Sequence, residues 1–407
     1  MSRDVVLLLD LAPTRILAIR LDNVGDMIML GPALRALRTA LPDASITVLC
    51  SPAGAEVTPL LPWVDDVIVH RAVWQDARGE MPLDPGRELA FAESLRRGRF
   101  DAALIFTSFS QSPFPPAYAC YLAGIPFRAG QTADFGGSVL SPAVTPAPWA
   151  AHQVDRNLHL VEALGVPAAG RQLDLQLPAA AQRSAERMLA GAGVDPDGSF
   201  VVLAPGASCP ARRYDPIRFG LVARALAEEA RLPVVIVGSE RDGAVERQLL
   251  NAAGAGHWAP VSLVGRTSIP ELAAVIERSA LVVANDSGPM HIADGFARPL
   301  VVTFAGTELE SQWRPRRSRA VLLRVPTPCA PCYRFECPYA NACLDIAPDR
   351  VVAEALALLD ETRLVQVRRQ TPALVSQPST NGELDGPADP DLARPWQLPV
   401  LPGAGPP

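Results

Sequence analysis

The chain reads as an α/β protein built from two Rossmann-like domains in tandem, each a mostly parallel sheet with helices on both faces. Three observations predict this. Short apolar runs alternate with segments of helical period along most of the 407 residues. Those runs are continuously apolar, as expected of parallel strands buried on both faces. Between 165 and 198, Pro, Asp and Gly recur around a short helical segment, and a chain of this length with 49% hydrophobic residues fills more than one core. The boundaries expected are 1–14 for an N-terminal extension, 15–180 and 181–365 for the two domains, and 366–407 for a tail.

In the first half, 15–20 is a buried strand and Leu21 to Asp26 the loop that leaves it. Residues 27–40 carry Leu30, Leu34 and Leu37 at helical spacing, so Asp26 stands at a helix start just beyond a strand end. A carboxylate there has two readings: a helix cap, or a general base facing the crevice where open α/β sheets bind ligands. A strand at 45–50, a short helix at 53–61 and a strand at 66–69 follow, with Trp63 in the intervening turn as a packing residue. A polar insertion covers 72–85, then come a helix at 88–97 and a strand at 101–106. The loop Thr107-Ser108-Phe109-Ser110-Gln111-Ser112-Pro113 is either a plain polar turn or a set of neutral hydrogen-bonding groups for a polyhydroxylated acceptor. Helix 118–122, a short strand at 125–128, a long loop at 131–148 and a helix running from His152 to Leu164 complete this half.

The second half alternates more cleanly, with strands at 200–204, 233–237, 261–263, 280–284 and 299–304. Helices at 216–230, 243–253, 269–279 and 288–296 lie between or beside them, and 350–359 is a closing helix. Two strand ends carry small-residue turns. Val282-Val283-Ala284-Asn285-Asp286-Ser287-Gly288-Pro289-Met290-His291 runs from a strand into a helix N-terminus, whose unpaired N–H groups and dipole suit an anion. Ala204-Pro205-Gly206-Ala207 precedes Arg212 and Arg213, either solvated surface or guanidiniums for a phosphate. Met290 reads as core, while His291, at i+3 from Gly288, either meets a phosphate or bonds the loop. In Gly238-Ser239-Glu240-Arg241-Asp242-Gly243 one carboxylate could hold ribose hydroxyls; helix capping is the competing reading, stronger for Asp242 than for Glu240.

The net charge of -6, with Arg scattered among acids, gives no broad field for nucleic acid. No uncharged apolar run approaches a membrane span, and the apolar start is broken by Asp10, unlike a signal peptide. A cytoplasmic enzyme is therefore expected, with peripheral contact at the inner face of a membrane left open. Neither G-x-G-x-x-G nor G-x-x-x-x-G-K-[ST] occurs, which argues against a nicotinamide, flavin or P-loop enzyme. Cys329, Cys332, Cys337 and Cys343 form C-x2-C-x4-C-x5-C. Four thiols at this spacing are a structural zinc site, an iron–sulfur centre, or reduced and packed.

Taken together, Ile19 to Asp26, Ala204 to Ala207 with Arg212-Arg213-Tyr214, Val237 to Glu240, and Asn285 to His291 resemble glycosyltransferase family 9, the family of the ADP-heptose:lipopolysaccharide heptosyltransferases. The motifs stand in the family's order across roughly 15–360. The resemblance implies the GT-B architecture, two Rossmann-like domains facing across a cleft, and inverting transfer from a nucleotide-sugar with no cofactor required. It implies that Asp26 is the base and that Arg212, with Arg213 beside it, binds phosphate. Glu240, or else Asp242, falls at the nucleoside. Asp286, Ser287, Gly288 and His291 form the donor turn, with Gly25 and Gly206 in the flanking strand-end loops. Tyr214 stands where Trp is commoner and Arg212 where Lys is frequent. The implied partners are an ADP-heptose-like donor and a hydroxyl-bearing glycan or small-molecule acceptor, so that both lipopolysaccharide core synthesis and natural product glycosylation come into view. The rival expectations are a sugar-nucleotide epimerase of the same fold and a non-catalytic nucleotide-sugar-binding protein.

Overall fold

The computed structural model describes residues 7–77 and 79–370, with 362–370 as backbone. Two sheets of six strands carry the fold, and within each sheet every strand pair is parallel. The first contains β1 (Arg15–Arg20), β2 (Ser45–Cys50), β3 (Asp66–Val69), β4 (Ala102–Ile105), β5 (Phe127–Gln131) and β6 (Ala143–Val144), in the order β3-β2-β1-β4-β5-β6. The second contains β7 (Val201–Ala204), β8 (Val234–Ile236), β9 (Val261–Ser262), β10 (Leu281–Asn285), β11 (Leu300–Thr303) and β12 (Ala320–Leu323), in the order β12-β11-β10-β7-β8-β9.

Both halves thus repeat one doubly wound topology, whose strand order reverses between β1 and β4 in the first sheet and between β7 and β10 in the second. Such switch points open a crevice beyond the carboxyl ends of the strands. The loops after β1, β7 and β10 are among those singled out from sequence. The predicted apolar runs are strands because they are buried on both faces: β2, β4, β7 and β10 expose almost nothing.

Departures from expectation have local causes. β6 has two residues, too few for a periodic signal, and lies inside the stretch read as one long loop. β12 is a half-buried edge strand and was missed for the same want of contrast. Proline and a cap set one helix start early: Pro85–Gly98 begins where the Asp84 carboxylate accepts the Arg87 N–H at 3.0 Å.

The core has three apolar clusters. One lies on the outer face of the first sheet around Leu17, Phe91 and Leu95, and another on the outer face of the second around Leu203, Phe219 and Val351. A third runs continuously from Ile28 and Leu34 through Leu164 and Leu189 to Phe200 and Val282, joining both sheets within one compact unit of the described residues. The expected division at 180/181 falls inside the helix Ala179–Gly191. Of the N-terminal extension, Leu8 is buried and its N–H bonds the Leu164 carbonyl at 2.9 Å. The closing helix spans Pro348–Gln370, longer than expected, and the tail beyond it lies outside the described residues. No helix among the described residues is long and apolar enough to cross a membrane.

Candidate active site

The first wall is built at the end of β1. Arg20, the strand's last residue, is fully buried. Its Nε lies 2.7 Å from Asp22 Oδ2 and its Nη2 2.5 Å from Asp26 Oδ1. Burial works against the guanidinium charge, but Asp22 and Asp26 outweigh it and hold Arg20 above its ordinary range. Burial pushes the Asp22 carboxyl up, with Arg20 pulling the other way. Asp26 sits in the first turn of the helix Val24–Ala40, where its Oδ2 accepts the Asn23 N–H at 3.2 Å. It is therefore a helix cap and one arm of a buried ion pair. The Gln111 amide donates to Asp22 Oδ1 and its oxygen accepts the Ser108 N–H at 3.0 Å, so this part of the polar 107–113 loop is committed internally.

The second wall comes from the loops after β7, β10 and β11. Arg212 closes the 3-10 turn Pro210–Arg212 and is largely buried. Its Nε donates to Thr307 Oγ1 at 3.2 Å, and its Nη2 pairs with Glu308 Oε1. Asp286, buried beside the same guanidinium, is pushed up by burial and drawn down by Arg212 and His291. Glu308 is pushed up to about 7, chiefly by burial, against the pull of Arg212 and with Asp286 and Asp26 adding repulsion. Arg212 itself stays above its ordinary range despite burial, because Asp286, Glu308 and Asp26 all favour its charge. Asp26 from the first wall thus shares one electrostatic site with Arg212, Asp286 and Glu308.

Asn285 ties the second wall together. Fully buried, it accepts the Tyr214 N–H at 3.0 Å and the Thr303 hydroxyl at 2.8 Å, and donates to the Pro205 carbonyl at 2.7 Å. The Tyr214 hydroxyl is equally committed, bonding the Ile346 carbonyl at 2.7 Å. Gly206 has to be glycine because a Cβ there would lie 2.8 Å from an Asp242 carboxylate oxygen. Asp242 in turn accepts the Ser239 N–H at 2.9 Å and hydroxyl at 2.8 Å, the capping role expected of it.

The two walls touch where the helices Val24–Ala40 and Gly288–Gly295 begin. A Cβ on Gly25 would stand 2.6 Å from His291 Cδ2, and one on Gly288 would stand 3.0 Å from Val24 Cγ1. His291 is buried and its pKa is lowered by that burial, with Asp286 and Asp294 opposing. Met290 is core. Ser287 is the N-cap residue ahead of Gly288, with its hydroxyl bonding the Asn285 carbonyl at 3.3 Å.

The structure therefore brings together Gly25, Asp26, Arg212, Asp286, Ser287, Gly288 and His291. Arg213 turns instead onto the Ala207 carbonyl, at 3.0 Å from Nη2, and Glu240 is exposed on the 3-10 turn Glu240–Asp242. Arg20, Asn285, Thr307 and Glu308 had no role assigned from sequence.

Behind Arg212, the four clustered cysteines line one cavity of about 310 Å³ together with Ala211, Gly306 and Thr307. Cys343 Sγ accepts the Gly306 N–H at 3.2 Å, and the Cys332 and Tyr333 N–H groups bond the Gly306 and Thr307 carbonyls at 3.0 and 2.8 Å. This loop thus braces the segment that carries Thr307 and Glu308. Among the described residues no group of three or more His, Cys, Asp or Glu is placed to hold a metal ion.

The profile of glycosyltransferase family 9 (heptosyltransferase) matches residues 88–343. The chain belongs to this family. As a family 9 chain it is a glycosyltransferase, and it is 28% identical over 357 residues to lipopolysaccharide heptosyltransferase 2 of Salmonella typhimurium, covering 85% of this chain and 99% of the relative. The Escherichia coli protein of the same name is 27% identical over 355 residues, covering 85% and 98%. Among solved structures, the ADP-heptose lps heptosyltransferase II of E. coli superposes with a TM-score of 0.69 at 24% identity, over 86% of this chain and 99% of that one. An E. coli heptosyltransferase solved with ADP gives 0.59 at 17% identity, over 86% and 98%. These likenesses show the GT-B fold, the architecture expected of the family 9 motifs.

Proposed function

We propose that this family 9 enzyme transfers a heptose from an ADP-heptose-like donor, with inversion, to a hydroxyl of a glycan or small-molecule acceptor. The reading is carried by one observation: Asp26 from the first sheet and Arg212 and Asp286 from the second share one buried site at the two switch points. Further support comes from the relatives named lipopolysaccharide heptosyltransferase 2 and the neighbour solved with ADP.

In this mechanism the acceptor hydroxyl gives its proton to Asp26 as its oxygen attacks the anomeric carbon from the face opposite the nucleotide. Arg20 fixes Oδ1 of Asp26, and Oδ2, held only by a longer bond from the Asn23 N–H, is the oxygen assigned to receive the proton. The bond to the leaving diphosphate breaks as charge gathers on its oxygens. Arg212 and the N–H groups of Ser287 and Gly288 stabilise that charge, taking the part a divalent cation plays in other transferases. No covalent sugar intermediate forms, so the anomeric configuration inverts once. The reaction belongs to the cytoplasmic compartment, at the inner face of the membrane where the acceptor is membrane-borne.

Replacing Asp26 by Ala tests the core of the reading. Turnover of ADP-heptose should fall by about 10²–10⁴-fold while ADP binding persists, since loss of a general base leaves ground-state contacts in place. Near-normal turnover removes the base role, and retention of configuration in the product, read by NMR, removes the single displacement.

A further inference from the structure

Arg212 is the guanidinium around which three carboxylates gather, Asp26, Asp286 and Glu308, and two oxygens of that group are left over. Glu308 Oε2 and Asp286 Oδ2 are both buried without a hydrogen-bond partner. A buried oxygen in that condition is costly for a carboxylate and far less so for a carboxyl that carries a proton. Glu308 is also the group that physically occupies the Arg212 Nη2 expected to meet phosphate. An arriving diphosphate and the Glu308 carboxylate therefore compete for the same N–H groups.

We propose that Glu308 makes donor binding proton-linked: it holds Arg212 while the site is empty, and yields Arg212 to the diphosphate by taking up one proton from solvent. This rests on reading Arg212 as a diphosphate ligand. The exchange is an acid–base step without covalent change. The proton adds to the Glu308 carboxylate as the guanidinium passes to the phosphate oxygens, and it leaves when the nucleotide leaves.

The surroundings decide that Glu308 neutralises rather than remaining an anion beside the incoming one. The titratable or charged groups that face it are Arg212 from the 3-10 turn, Asp286 from the β10 loop, Asp26 from the opposite wall and Tyr333 from the cysteine loop. Once Arg212 turns to phosphate, what remains around Glu308 is two carboxylates, a phenol, the diphosphate itself and the Trp313 indole, a neutral donor that favours the carboxylate but makes no well-formed hydrogen bond to it and is outweighed by the three anions. Burial has already brought its carboxyl to about 7; losing the pull of Arg212 and gaining the diphosphate charge push it well above that, so the carboxyl carries its proton even at pH 8.0–9.0. The resulting O–H is a donor, and a phosphate oxygen within reach satisfies it.

The probe is ADP, titrated calorimetrically into the full chain at pH 8.0–9.0 in buffers of different ionisation enthalpy. The wild type should take up about one proton per ADP, and its affinity should fall up to about tenfold for each unit rise in pH. Glu308→Gln should bind ADP with no proton uptake and a flat pH profile, whereas Asp286→Asn should still take up the proton. Uptake that survives in Glu308→Gln, or is lost in Asp286→Asn alone, overturns the assignment. So does a wild type that binds ADP without uptake, a result that needs no variant to fold. Failure of the wild type to bind ADP at any pH would instead overturn the reading of the donor site itself.

Discussion

Gly25 offers the sharpest perturbation, because it sits where the beginnings of the helices Val24–Ala40 and Gly288–Gly295, one from each half of the fold, meet. In Gly25→Ala the new Cβ would stand 2.6 Å from Cδ2 and 3.2 Å from Nε2 of His291. Ordinary carbon contacts are about 3.5–4.0 Å, so the ring or the helix has to give by about an ångström. His291 is almost completely buried and cannot swing into solvent. Helix propensity acts the other way, since Ala in place of Gly favours a helix by up to about 1 kcal/mol. Overpacking in a closed core costs about 1–3 kcal/mol, so the contact wins and the variant should be less stable, melting a few degrees lower. Activity should suffer more than stability: displacing Asp26 by about an ångström relative to Arg212 and Asp286 costs on the order of 10²-fold in turnover. Gly31→Ala in the same helix is the control, because its Cβ would meet Leu61 and Trp63 at 3.3 and 3.4 Å, contacts that flexible or edge atoms relieve. Thermal melts and kcat for both variants, with His291→Ala added to each, separate the effects. The ring's removal should make Gly25→Ala nearly silent. A Gly25→Ala protein with unchanged melting and turnover would refute the account of how the two walls are held.

Two further expectations concern the same neighbourhood. His152 accepts the Val154 N–H at Nδ1, at 3.2 Å, and its Nε2 lies 3.1 Å from the Arg314 carbonyl, so it is held neutral with the proton on Nε2. Burial, with Arg316 next, pushes its pKa down to about 4 from 6.5. The unfolded chain therefore binds the extra proton first, and the His152 contribution is full above pH 6.5 and lost as pH falls toward 4, by about 3 kcal/mol. Because Glu308 moves stability in the opposite sense over part of that range, the measurement is the difference in urea stability between wild type and His152→Gln from pH 7 to 4. A pH-independent difference would contradict it. For the cysteine cluster, the four thiols line one cavity, and Cys329, Cys332 and Cys337 all act on the Cys343 thiol. If they serve as a metal site, protein purified without added metal should contain about one zinc or iron per chain by elemental analysis, and its absence would leave four reduced thiols that only brace the loop.

Much of the fold was legible because parallel strands buried on both faces leave continuous apolar runs, as at Val201–Ala204 and Leu281–Asn285. The strands that escaped, Ala143–Val144 and Ala320–Leu323, are short or half-exposed and owe their form to a neighbour already in place. Asp26, Arg212, Asp286 and His291 were legible for a related reason: each follows closely on a strand end, and in a doubly wound sheet those ends face the ligand crevice. Arg20 carried a signal that went unused, a charged residue closing a buried strand with Asp two and six positions on. Asn285 lay within the turn read from sequence but nothing local told its role, and Glu308 carried no signal. The bonds of Asn285 to Tyr214 and Pro205 span 71 and 80 residues, and the contact of Glu308 with Arg212 spans 96. Local pattern has no access to separations of that kind.

The charges gathered at the two switch points explain why a contact invisible in the sequence matters to the chemistry. Two guanidiniums, Arg20 and Arg212, face four carboxylates, Asp22, Asp26, Asp286 and Glu308. Arg20 is paired with Asp22 and Asp26 and fully buried, although its Nη1 has no hydrogen-bond partner. On a chain of net charge -6, long-range attraction is not what brings a diphosphate to this site. Binding has to come from short-range exchange, N–H groups released by one anion and taken by another. Asp26 is the proposed base, and its pair with Arg20 holds it in place. Asp286 begins the turn proposed to seat the donor and cannot withdraw without moving it. Glu308, at the end of a loop braced by the cysteine segment, is the carboxylate whose charge the site can surrender. Its neutralisation leaves the Arg20–Asp26 pair and the turn that Asp286 opens in place, which is why the proposed proton is placed on Glu308 and not on either Asp.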